Sequence, residues 1–70
     1  MQRIPITSAS IASLGYDPAT STLEVEFEGG GVYRYFAVPR AVHESLLKSE
    51  SIGRTFNVVV RGRYPWTPVS

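Results

Sequence analysis

Between Thr22 and Glu28 the chain reads TLEVEFE, with Leu23, Val25 and Phe27 on one parity and Glu24, Glu26 and Glu28 on the other. A period of two is the pattern of a strand with one buried and one solvated face. Three glycines follow at 29–31, and then VYRYFAV, which predicts a hairpin whose turn uses the positive φ angles that glycine tolerates. Upstream, Ile11, Leu14 and Tyr16 mark a first strand over about residues 10–16, closed by the turn chemistry of YDPATS.

Downstream the period changes. Val38, Val42 and Leu46 recur every fourth residue behind Pro39, which predicts an amphipathic helix over about residues 39–49 with Arg40, His43, Glu44 and Lys48 on its charged face. Ser51, Ile52 and Gly53 suggest a stop and a short turn anchored by Phe56. The β-branched run in NVVVRGRY, residues 57–64, predicts a last strand. The end PWTPVS, residues 65–70, carries two prolines, and residues 66–70 are expected to form an irregular tail from which Trp66 packs back. The element order is β-β-β-α-β: a single α+β domain over residues 1–70, a small antiparallel meander with one helix on one face.

Hairpin register decides where the tyrosines of GGGVYRYF point, because a one-residue slip sends every side chain to the opposite face. A two-glycine turn would set Arg34 opposite Val25, inside an apolar row. A loop made of all three glycines sets Phe27 opposite Tyr33, Val25 opposite Tyr35 and Glu26 opposite Arg34, a continuous apolar row beside a charge pair. The second register is favoured, and it sends Tyr33 and Tyr35 to the helix side.

Composition narrows the function. At 70 residues the chain buries only about 60% of its unfolded surface, so most apolar side chains are needed for the core, and self-association would be a natural supplement. There is no cysteine, which fits a reducing compartment, and no apolar run of membrane-spanning length or secretion-signal character; a soluble, cytoplasmic protein is expected. A single histidine, His43, no nucleophile-elbow spacing and no Lys-Ser/Thr after the glycine run leave nothing for a catalytic, metal or cofactor site. We therefore expect no enzyme, no metal and no cofactor.

The formal charge is +1, but it is unevenly spread. Asp17, Glu24, Glu26 and Glu28 stand without a base in residues 17–28, and Arg54, Arg61 and Arg63 stand without an acid in residues 51–70. The commoner explanation is that these poles pair across the sheet. The functional one is that Arg54, Arg61 and Arg63, interleaved with Phe56, Tyr64 and Trp66, bind phosphates and stack bases of single-stranded nucleic acid. On that reading Arg61 and Arg63 share a strand face suited to neighbouring phosphates.

The segments ITSASIASLGYD, TLEVEFEGGGVYRYFAVP, VHESLLKSESIGRTFN and VRGRYP, in this order, resemble the KTSC domain, a small domain also found at the C-terminus of some lysyl-tRNA synthetases. The resemblance runs from about Ile4 to Pro65. It rests on Tyr33-Arg34-Tyr35, Val38-Pro39, Ser51-Ile52-Gly53 and Phe56-Asn57; Thr55 stands where the family often has an aromatic residue. The resemblance implies no catalytic residues. It implies a stand-alone bacterial or phage module, with RNA suggested as a partner by the synthetase company. The expectation is a non-enzymatic RNA-binding module using Arg54, Arg61, Arg63, Tyr64 and Trp66, with a protein-interaction or homo-oligomerising domain and a small-nucleotide-binding protein as alternatives.

Overall fold

The computed structural model describes residues 1–69 and has one antiparallel sheet. Its strands β1 (Arg3–Pro5), β2 (Ile11–Asp17), β3 (Thr22–Phe27), β4 (Val32–Tyr35) and β5 (Trp66–Pro68) lie side by side in chain order. Two helices, α1 (Arg40–Lys48) and α2 (Ile52–Val59), separate β4 from β5. Leu46 of α1, and Phe56 and Val60 in and after α2, pack with Ile11, Leu14, Leu23, Val25 and Tyr35 of the sheet. The expected α+β class holds, with one more strand and one more helix than the pattern predicted.

The β2 side of the core explains a spacing of three inside a strand. Ile11 pairs with Phe27 but Ser13 pairs with Glu26, so a bulge at Ala12 resets the alternation. Ile11 and Leu14 are both buried, while the Ser13 hydroxyl faces outward and donates to Glu26 Oε1 at 2.9 Å.

The β3–β4 hairpin keeps the predicted faces but not the predicted partners. Phe27 N donates to Gly31 O at 3.1 Å and Gly30 N to Phe27 O at 3.0 Å, so the three-residue loop is 28–30. Positive φ falls at Gly30 and Gly31. Pairing Val25 with Tyr33 and Leu23 with Tyr35 slides β4 by two residues, an even shift that leaves Tyr33 and Tyr35 inward. Arg34 consequently stands opposite Glu24 and not Glu26.

That slide builds an ion triad on the outer face. Glu24, only 5% exposed, accepts from Arg34 Nε at 2.8 Å and from Arg3 Nη1 at 2.9 Å. Gly15 makes the Arg3 contact possible, because a Cβ there would lie 2.7 Å from the Gln2 carbonyl oxygen and 2.9 Å from Arg3 Cγ. Within the acidic pole, Glu24 is thus answered by Arg3 and Arg34, and Glu26 by Ser13. Among the described residues, no ion pair joins it to Arg54, Arg61 or Arg63, and the expected pairing of the two poles is not what the fold does.

Residues 57–64 are the main correction. Asn57–Val59 complete α2, and the rest of the predicted strand is turn. Phe56 and Val60 are buried whereas Val58 is 61% exposed, so apolar positions recur at helical spacing from Ile52 onward, and packing overrides the β-branched composition. The supposed irregular tail is also corrected over 66–68, which pairs with β4; Ser70 lies outside the described residues. Phe36 N donates to Pro65 O and Val69 N to Val32 O. Ladder alternation then turns the nitrogen of Pro68 away from β4, where its missing N–H costs nothing on an edge strand.

Val38 anchors the crossing into the helices. Its side chain is buried, its N–H donates to Ser21 O at 2.9 Å, and its carbonyl accepts from the Tyr16 hydroxyl at 2.6 Å. Tyr16 also stacks on His43, with ring centroids 4.7 Å apart and planes 12° off parallel. His43 is therefore half-buried against the sheet, not the solvated histidine expected on an outer helix face.

Three outcomes follow for stability. Tyr35→Ala should cost about 3–5 kcal/mol, read from the urea midpoint, because it empties a core site. Glu24→Ala should cost about 1–2 kcal/mol, discounted for the solvent-facing arginines, whereas exposed Glu28→Ala should stay within about 0.5 kcal/mol; equal effects would contradict the triad. Burial lowers the His43 pKa below its ordinary value, against the opposing charge of Glu44. Folding then disfavours the proton, so the His43 contribution is full above the unfolded pKa of about 6.5 and is lost as pH falls through the folded value. His43→Phe should remove that part of the acid destabilisation in parallel urea titrations.

Candidate functional site

The inward face of the hairpin continues past the core as an aromatic series. Phe56 meets Tyr35 edge-on at 5.3 Å and Phe27 at 5.6 Å. Tyr33 lies 5.6 Å from Phe27, with planes at 69°, and 5.4 Å from Trp66, with planes at 72°. Edge-to-face contacts of this kind are favourable beyond the area they bury. Burial decreases along the series: Tyr35 is 6% exposed, Tyr33 is half-buried, and Trp66 is 55% exposed. The series exists because β5 pairs Trp66 with Tyr35, carrying the indole next to the inward tyrosines.

The turn after α2 forms the other wall. Arg61 N and Val60 N both donate to Phe56 O, and Gly62 turns the chain with φ +76°. Phe27, Tyr33, Tyr35, Trp66 and Arg61 line one groove of about 560 Å³. Gly30 and Gly62 stand at its rim, and a Cβ at either would meet nothing within 4 Å, so the mouth is open there.

The groove combines a planar apolar surface with one cation. Burial pushes the Tyr35 phenol above its ordinary pKa, while the nearby Arg61 charge pulls it down and Tyr33 pushes it up. The phenol accordingly stays protonated at neutral pH and can donate a hydrogen bond. Arg61 is exposed and enters no ion pair among the described residues. A flat ring set against Trp66 with an anionic group at Arg61 is the ligand chemistry this arrangement suits.

Of the five residues singled out in the sequence, the structure brings Arg61 and Trp66 together. Arg54 lies on the exposed side of α2. Arg63 donates through Nε to Val58 O at 2.9 Å and so closes the turn after α2; it shares no strand face with Arg61. Tyr64 packs half-buried against the core. Sequence reasoning assigned Tyr33 and Phe27 to the core alone, yet both line the groove. Their signal was the Tyr-X-Tyr motif beside a glycine turn.

No group of three or more His, Asp or Glu residues among the described residues is placed to hold a metal ion, and no helix is long and apolar enough to cross a membrane.

The model of the KTSC domain family matches residues 7–64. An uncharacterized protein of Stutzerimonas stutzeri is 48% identical over 64 residues, covering 91% of this chain and 90% of its own. A lysine–tRNA ligase of Nostoc punctiforme is 38% identical over 60 residues, covering 86% of this chain but 11% of the ligase. Among solved structures, a KTSC domain protein of Yersinia pestis superposes with a TM-score of 0.96 at 36% identity, covering 99% of this chain and 97% of that one.

Proposed function

The chain belongs to the KTSC domain family, and from that premise we propose that it is a non-enzymatic RNA-binding module whose contact surface is the groove between Trp66, Tyr33 and Arg61. The observation that carries this reading is the meeting of a half-exposed indole and an arginine without an ion-pair partner among the described residues in one concave site. Stacking on an exposed aromatic ring tolerates every base, and a guanidinium binds phosphate through forked hydrogen bonds. The lysine–tRNA ligase relatives support it from another side, since an enzyme so named works with tRNA and carries a homologous stretch.

Self-association by edge pairing is less favoured. Both edge strands have three residues and carry proline, Pro5 in β1 and Pro68 in β5, with Pro65 just before β5. Short, proline-bearing edges are the form that resists strand addition.

The test is fluorescence anisotropy of a labelled short single-stranded RNA titrated with the protein at low and raised salt. Binding should occur at low salt and weaken as salt rises. Trp66→Leu should weaken it about 5- to 100-fold, the range for losing one stacked base. Absence of binding by the parent at low salt would end the RNA reading.

A further inference from the structure

Resting on the RNA-binding reading, we infer that the groove recognises a single unpaired nucleotide, with its base against Trp66 and its one phosphate on Arg61, and does not track an extended strand. The charge arrangement argues this first. Among the arginines, Arg61 alone lines the groove. Arg63 is turned to the Val58 carbonyl, and Arg3 and Arg34 are spent on Glu24 at the opposite face. One cation matches one phosphate. A groove that follows a backbone over several nucleotides needs a line of them.

Shape argues the same. The volume of about 560 Å³ lies in the range of small-ligand pockets, with the turns at Gly30 and Gly62 at its open rim. The ring beside the indole, Tyr33, meets Trp66 edge-on at 72° and so offers no continuation of a stack begun on Trp66. The exposed indole takes one base, and the next base along a strand leaves the groove.

A site of this kind binds a free nucleoside monophosphate about as well as it binds a strand. It also binds the monophosphate more tightly than the nucleoside, through Arg61. The experiment is a titration of the full chain followed by the NMR signal of the Trp66 indole N–H, the single tryptophan in the sequence. The probes are adenosine, adenosine monophosphate, and oligoadenylates from dimer to octamer, each at two salt concentrations. Arg61→Gln is run in parallel, its dispersed spectrum showing that it folds.

The monophosphate and the octamer should bind within a few-fold of one another. The octamer should show a log–log salt slope of about −0.7, the value for one phosphate on a single strand. The monophosphate should bind about tenfold better than adenosine, as one charge-assisted contact allows, and Arg61→Gln should abolish that difference. An octamer that binds with a slope of several phosphates while the monophosphate leaves Trp66 unmoved would overturn the single-nucleotide inference and leave the RNA reading intact. A monophosphate that binds while every oligomer fails would overturn the RNA reading and leave a free-nucleotide site. If no probe moves Trp66, both fall.

Discussion

The closure of the β3–β4 hairpin is the constraint on which the rest depends. Once Phe27 and Gly31 pair across the 28–30 loop, each later residue of β4 has an assigned partner and face. Tyr33 and Tyr35 turn toward the helices, Arg34 turns out onto Glu24, and the far edge of β4 is left for β5. A slip of one residue would bury Arg34 in the apolar row and expose both tyrosines, a combination that the cost of an unpaired buried charge excludes.

The two faces of the sheet then divide the chemistry. On the outer face a nearly buried carboxylate must be matched, and Arg3 and Arg34 do so with charge-assisted hydrogen bonds. Because Glu24 and Glu26 find partners locally, they do not draw the arginines that follow α2 across the sheet. On the inner face the hairpin supplies more aromatic surface than two short helices cover. Phe56 covers Tyr35 and Phe27, while Tyr33 and Trp66 run on beyond the helices toward solvent. The groove is what remains where the core stops.

Much of this was legible in the residues. The alternation of Leu23, Val25 and Phe27 identified β3, and the parity of Tyr33 and Tyr35 followed from it. The partner of Arg34 did not, because three successive glycines permit closure at more than one step and an even slip preserves every face. α2 was hidden by composition: Val58, Val59 and Val60 read as a strand, although Ile52, Phe56 and Val60 share the spacing of a helix. β5 was hidden by Pro68 within it and Pro65 just before it, since proline fits a strand only at an edge or its start. The candidate site was half legible for the same reason. Arg61 and Trp66 carry recognisable chemistry, but their meeting with Tyr33 depends on β5 returning to β4 across two helices, a long-range pairing that no local pattern records.

A Tyr-X-Tyr strand thus serves two purposes at successive depths, Tyr35 as core and Tyr33 as the wall of a groove that Trp66 and Arg61 complete. The most direct test of that account is to map contacts from the base protons of a bound short RNA by intermolecular nuclear Overhauser effects. The account predicts contacts to the Trp66 indole and the Tyr33 ring, with none to the outer face around Arg3, Glu24 and Arg34. Contacts confined to that outer face, or to the exposed side of α2 around Arg54, would contradict it.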